Sequence, residues 1–154
     1  MKNPKLTSDA RQLRFLRERW RSYAGEGGWD AATVAGMQDL REKLLGIGGI
    51  EVVPRYEEDL ALLLARGREM KGPIEFVEGS PSRCHENVAL LVESGFEISP
   101  ATGWVLGPDD ALWRQHSWGV AEDGTIIETT QPRTIYWGLV LKGRAAEDFC
   151  HWNT

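Results

Sequence analysis

Thiol and imidazole are scarce in this chain: 154 residues hold two cysteines and three histidines. They fall as Cys84-His85, His116 and Cys150-His151. Zinc favours such side chains, but neighbouring residues seldom converge on one ion, and these pairs lack the spacing of structural zinc ligands. No metal site is expected. Long apolar runs are missing too. No stretch approaches the roughly 20 residues of a membrane helix, and Met1 to Phe15 lack the apolar core of a signal peptide. With so little cysteine, this predicts a cytoplasmic protein whose thiols stay reduced and which has no membrane partner. A Cys84–Cys150 disulfide stays open, because spacing does not reveal its geometry. Neither a phosphate-cradling loop nor a dinucleotide fingerprint occurs, so no cofactor is implied. Repeats, low-complexity tracts and linkers are absent as well. The expectation is one domain over residues 1–154, with a helical half at 1–72 and the rest at 73–154.

Hydrophobic residues make up 42% of the chain, which is enough for a real core. The net charge of −5 argues against general nucleic-acid binding, but it is unevenly spread. Residues 1–23 hold seven Lys or Arg against two acids, a net of +5, which leaves −10 for the remainder. That basic start reads either as a solvated helix face or as a docking surface for an acidic partner or RNA.

Taken in order, Thr7 or Ser8 can cap a first helix running to about Tyr23. Leu13, Leu16, Trp20 and Tyr23 recur at helical spacing and should be buried, while Arg14, Arg17 and Arg21 form an exposed stripe. Asp30 can cap a second helix, with Val34, Met37, Leu40 and Leu44 on one face, ending at Gly46 to Gly49. IEVV reads as a short extended piece. Pro54 fits the first turn of a third helix, which stops near Gly67. Pro73 to Gly79 reads as an extended connection. Ser80-Pro81-Ser82 signals a helix start with a Ser cap, placing Cys84 in the first turn, and Gly95 ends that helix. The pattern then changes period: ATGWVLG, LWRQHSWGVA, GTIIETT and RTIYWGLVLKG read as an antiparallel meander of four strands, followed by a short helical turn. The fold class is thus α+β, with N-terminal helices and a central Cys-bearing helix packed on an antiparallel sheet of about four strands.

The chemistry concentrates between Gly79 and Thr130. A free thiol is mostly protonated at neutral pH, and the first turn of a helix favours its anion. Arg83 and His85 can add positive charge. The competing reading of Cys84 is a buried, inert cysteine. The strands bear on the choice. If Glu122-Asp123-Gly124 form a three-residue loop with Gly124 left-handed, Ala121 pairs with Thr125 and Trp118 opposes Glu128. Glu128 then lies diagonal to His116 on one face, within reach of its imidazole. A two-residue loop would set Glu128 opposite Ser117, on the other face. The aromatics Trp104, Trp113, Trp118 and Trp137 read mainly as cross-strand packing, with Trp118 placed beside the imidazole.

The ordered set Cys84, Gly95, Gly103-Trp104, His116-Ser117-Trp118, Gly124 and Glu128-Thr129-Thr130 resembles the transglutaminase-like superfamily of papain-like cysteine enzymes. It covers about a third of the chain. The resemblance implies a triad with Cys84 as nucleophile, His116 as base and Glu128 as the acid that orients the base. Two departures stand out. Glu128 occupies a position where the family usually has Asp, and the short spacing after the helix implies a minimal, bacterial-type version with a small cleft. Residues 1–72 match no part of the pattern. For the oxyanion, the backbone N–H of Cys84 is the first donor expected. The papain-like arrangement adds a side chain upstream, but Glu75 and Glu78 are poor donors, which leaves Gln115 or a Trp N–H. Trp118, Gln115 and Trp104 are the candidate substrate-binding side chains. The implied function is thiol-dependent acyl transfer or hydrolysis on a peptide or small amide. The alternatives are a non-catalytic domain of the same fold, docking a partner through the basic helix, and a small-molecule binder using the Trp-rich sheet.

Overall fold

The computed structural model describes residues 4–154, with side chains from Ala10 onward. In chain order the elements are α1 (Pro4–Ala24), α2 (Ala31–Ile47), β1 (Glu51–Val52), α3 (Leu60–Arg66), β2 (Arg68–Met70), β3 (Ile74–Phe76), α4 (Cys84–Glu93), β4 (Ile98–Leu106), β5 (Leu112–Ala121), β6 (Ile126–Glu128), β7 (Ile135–Val140) and α5 (Gly143–Asn153). No helix among the described residues is long and apolar enough to cross a membrane.

The fold is mixed α+β, but the sheet is neither four-stranded nor purely antiparallel. Seven strands take part, in the order β2-β7-β4-β5-β6-β3, with β1 pairing β5. Two pairs, β1 with β5 and β3 with β6, are parallel. The four strands expected from the sequence are all present as β4 to β7, with β6 reduced to the three residues Ile126–Glu128. Their order is not that of a meander, because β7 crosses back to lie beside β4. Burial explains the choice. Tyr136 and Trp137 are adjacent, so they point to opposite faces, and both are buried. A strand apolar on both faces belongs inside a sheet covered on both sides.

The two faces carry separate cores. Trp104 and Trp137 are direct partners across β4 and β7. With Leu106 and Trp113 they meet Trp20, Met37, Leu40, Leu44 and Leu63 from the N-terminal helices. Ala101, Val105, Trp118, Ile126 and Tyr136 form the second cluster on the other face.

The helices depart from the expected starts in ways local chemistry explains. α1 is already helical at Pro4, where the described residues begin, so Thr7 and Ser8 lie within the helix rather than capping it. Its Leu16 and Trp20 are buried, Leu13 and Tyr23 half-buried, and Arg14, Arg17 and Arg21 exposed. Asp30 caps α2 by accepting from the Thr33 N–H at 2.7 Å. α3 starts at Leu60 rather than at Pro54. The segment between is irregular, and it turns Glu57 inward, where it is 3% exposed. α5 is a full helix rather than a single turn.

β5 has one continuous neighbour and one interrupted one. β4 pairs with it along Trp113 to Ala121. On the opposite edge β1 pairs at Leu112 and Trp113, and β6 at Gly119 and Val120. Arg114 to Trp118 are left between them without a strand on that side. α4 packs against β5, β4 and α5.

Glu51 ties the N-terminal helices to β1. It is 1% exposed and accepts from Arg41 at 2.8 Å through both oxygens, from Arg17 at 3.3 Å and from the Val52 N–H at 2.9 Å. The Trp20 indole N–H donates to the Val52 carbonyl at 2.8 Å. Glu51→Ala strands these donors and should cost about 2–4 kcal/mol in urea unfolding. Arg17→Gln removes only a half-exposed partner and should cost under about 1 kcal/mol. Equal losses for the two variants would contradict this account of the joint.

Candidate active site

The β5–β6 hairpin fixes His116 against Glu128. Ala121 N–H donates to the Thr125 carbonyl at 2.9 Å, Gly124 N–H returns to Ala121 at 2.9 Å, and Gly124 has φ 89°. This is the three-residue loop, with glycine in the left-handed position where a side chain would be strained. The ladder continues through Val120 with Ile126 and Gly119 with Ile127. His116 and Glu128 therefore come out on one face as diagonal neighbours.

The His116 Nε2–H donates to the Glu128 oxygens at 2.9 and 3.1 Å, with the pair 3% and 0% exposed. The rest of the carboxylate is also engaged. The Tyr136 hydroxyl donates to Oε1 at 2.7 Å. The N–H groups of Thr129 and Thr130 donate to Oε2 at 2.9 Å each, and the Thr130 hydroxyl at 3.1 Å. Burial alone would raise the Glu128 pKa, but the His116 hydrogen bond and charge, with the other donors, bring it down to about 2. An ionised carboxylate cannot donate, so the proton between the two sits on Nε2, leaving Nδ1 for the thiol. Trp118 lies beside the imidazole, with rings 6.2 Å apart and 19° from parallel.

α4 supplies the thiol as its first residue. The N-cap is Arg83, with no side-chain cap bond, and Ser82 has φ 60°. Neither Ser80 nor Ser82 caps the helix. Instead the Asn87 side chain reaches back, accepting from Ser80 N–H at 3.0 Å and donating to the Ser80 carbonyl at 2.9 Å. His116 stands near enough to Cys84 for its imidazole to act on the thiol, as do the backbone N–H groups of Ser117 and His85. The Ser117 N–H is available because Ser117 lies in the gap on the β5 edge. Burial pushes the Cys84 thiol up, but His116 and the two N–H groups outweigh it and leave the pKa below that of an ordinary thiol. Burial pushes His116 down, yet Cys84 and the bond to Glu128 leave it raised. Both shifts run in the direction of thiolate and imidazolium. Both cysteines are free; Cys150 is 4% exposed, and its thiol is raised by burial and then by Glu93.

His85 does not add the positive charge the sequence suggests. Its Nδ1 hydrogen-bonds the Ser117 hydroxyl, and burial, followed by the charges of His116 and Arg55, pushes its pKa down. Arg83 pairs outward with Glu86 at 3.1 Å.

Cys84 and His116 open into a cleft of about 590 Å³, whose wall includes Arg55, Phe76, Arg114, Gln115 and Arg133. Of the three expected substrate-binding residues, only Gln115 lines it. Trp104 and Trp118 are each 0% exposed and cannot touch a ligand there. Trp104 lies on the N-terminal helix face, with its indole N–H on Glu57 at 2.9 Å. Trp118 packs edge-on against Tyr136 at 5.2 Å, and its buried indole N–H has no hydrogen-bond partner among the described residues. Gln115 donates to Glu57 and to the Tyr56 carbonyl at 3.2 Å each. Burial raises the Glu57 pKa despite donors from Asp59, Gln115 and Trp104. Glu57 and Tyr136 both escape the sequence reading. The only available signal for Tyr136 was a hydroxyl in an otherwise apolar strand. No group of three or more His, Cys, Asp or Glu among the described residues is placed to hold a metal ion.

No protein-family model, curated protein or solved structure matches this chain.

The depressed Glu128 carboxyl ties stability to acid. Its contribution is fully present above the ordinary carboxyl value of 4.5 and is lost as pH falls through about 2. Urea unfolding should show wild-type stability dropping across that window, and Glu128→Gln should flatten the drop by about 3 kcal/mol. Tyr136→Phe, which removes one donor, should fall between. An identical acid profile for Glu128→Gln would refute the assignment.

Proposed function

We propose that the protein is a thiol-dependent acyl-transfer enzyme acting on an amide-type bond, with Cys84 as nucleophile, His116 as base and acid, and Glu128 as the group that holds the imidazole. The observation that carries this reading is the meeting of Cys84 and His116 at one cleft, with His116 hydrogen-bonded to a buried, ionised Glu128. A merely structural cysteine would gain nothing from such a neighbour, and burial would raise its pKa.

The steps follow from the protonation states. The Cys84 thiolate attacks the carbonyl carbon, and the amide oxygen becomes an oxyanion. Backbone N–H groups at the start of α4, that of Cys84 first, would donate to that charge. The intermediate collapses as the imidazolium gives its proton to the departing amine, leaving a thioester and a neutral imidazole. Water or an amine then attacks the thioester, with His116 taking its proton and returning the thiol. Glu128 keeps Nε2 protonated, so that Nδ1 exchanges the proton in every step.

The second reading is a non-catalytic domain docking an acidic partner. Its support is the exposure of Arg14 and Arg21 on α1, beside a Phe15 that is 56% exposed.

Iodoacetamide alkylation across pH, read by mass spectrometry, separates the two. The enzyme reading expects Cys84 to react readily near pH 6, far below the roughly 8.5 of a free thiol. His116→Ala should slow that reaction by about tenfold or more, and Glu128→Gln by less, since the imidazole remains. Cys150 should stay unreactive at that pH. A Cys84 that reacts only above pH 8, or only after denaturation, would end the catalytic reading.

A further inference from the structure

The cleft around Cys84 is positive on a chain that is negative overall. Arg55, Arg114 and Arg133 all line it, against one carboxylate, Glu78. Arg114 is paired with Asp110 at 2.7 Å. Arg55 and Arg133 make no ion pair among the described residues. Arg133 is nevertheless held in place. Its Nε donates to the Gln131 carbonyl at 2.7 Å and its Nη2 to the Thr130 hydroxyl at 3.3 Å. The same hydroxyl donates to Glu128, so Arg133 is tethered one hydrogen bond away from the acid of the triad. Most of its N–H groups remain available to a ligand. Arg55 stands near enough to His85, the residue after Cys84, for its charge to act on that imidazole.

The positive charge belongs to the cleft itself. Arg55 also borders an adjoining hollow of about 310 Å³, but Glu57, Glu58 and Asp59 line that one. Arg114 and Arg133 border another of about 260 Å³, where Asp109 and Asp110 balance them. Within the cleft Arg55 and Arg133 have no counter-ion among the described residues, and a ligand bearing carboxylates would supply one to each. A cleft of about 590 Å³ has room for a short peptide segment.

We infer that this cleft receives an acidic peptide, with carboxylates on either side of the bond presented to Cys84 engaging Arg55 and Arg133. The inference rests on the acyl-transfer reading for what happens to the peptide, but not for its binding. Arginine suits the role because its planar fork meets a carboxylate through two parallel hydrogen bonds.

The test uses the full chain carrying Cys84→Ala and fluorescence anisotropy. The probes are a fluorescein-labelled Glu-rich hexapeptide amide and versions with every Glu replaced by Gln, Lys or phosphoserine. At low salt the Glu peptide should bind about tenfold or more tightly than the Gln peptide, and salt should erode the difference. Arg55→Gln and Arg133→Gln should each remove most of it. Arg14→Gln with Arg21→Gln should leave it intact. Equal binding of the Glu and Gln peptides would overturn the inference, as would a preference lost with Arg14 and Arg21 instead. A phosphoserine peptide bound tenfold more tightly than the Glu peptide would overturn the carboxylate assignment. Should Arg133→Gln fail to fold, exposed Arg55 still decides the matter. Iodoacetamide reactivity of the wild-type thiol separates the two levels of the argument. An inert Cys84 with the Glu preference intact would sink the chemistry and not the specificity; a reactive Cys84 without the preference would sink the specificity alone.

Discussion

A carboxylate with no exposed surface survives as an anion only if donors surround it, and Glu128 has them on both oxygens. Much of the C-terminal half is arranged to supply those donors. The β5–β6 hairpin delivers His116, the turn after β6 delivers two backbone N–H groups, and β7 crosses the sheet to deliver Tyr136. The detour of β7 therefore serves two ends. It buries Tyr136 and Trp137 on opposite faces, and it brings a hydroxyl to the acid. Satisfaction of Glu128 then fixes the tautomer of His116, and the tautomer decides which nitrogen the thiol meets.

The longer acid is compatible with this geometry. In the transglutaminase-like pattern an Asp usually stands at this position. Here Glu128 sits opposite Trp118 in the continued β5–β6 register, and its extra methylene lets the carboxylate reach diagonally to His116 while folding back to the N–H groups of Thr129 and Thr130. Trp118 fills the position directly across and is wholly buried. It supports the imidazole from the side and takes no part in the cleft.

The readable parts of the sequence were those governed by local rules. Asp30 at a cap, Gly124 in a loop and Gly95 past a helix end each follow from the conformation that one residue favours. Gly124 favoured one of two registers of His116 against Glu128, and the three-residue loop adopts that one. The hidden parts depend on distant partners. β1, β2 and β3 are two or three residues long, too short to show a period, and each exists only because a strand elsewhere accepts it. Trp104 and Trp118 look alike in a one-dimensional pattern. They lie on opposite faces of the sheet, and neither reaches a ligand, because sheets covered on both sides bury both sets of side chains. Glu57 was hidden for a related reason. Nothing in PRYEED announces that one acid in the run turns inward to meet Trp104 and Gln115, and a Pro there is as good a helix start as a loop residue.

The gap on the edge of β5 has a consequence for the order in which the molecule assembles. His116 and Glu128 lie twelve residues apart on one hairpin and can find each other early, since short loops close at small entropic cost. Of the two strands that border the gap, β6 is local, while β1 pairs with β5 across some sixty residues. α4 likewise reaches β5 from a distance, bringing Cys84 to the vacant edge only when the rest of the sheet defines it. The contact of His116 with Glu128 is thus a local product of the chain, while Cys84 is delivered to it by topology. A chain in which α4 has not docked holds Cys84 apart from both.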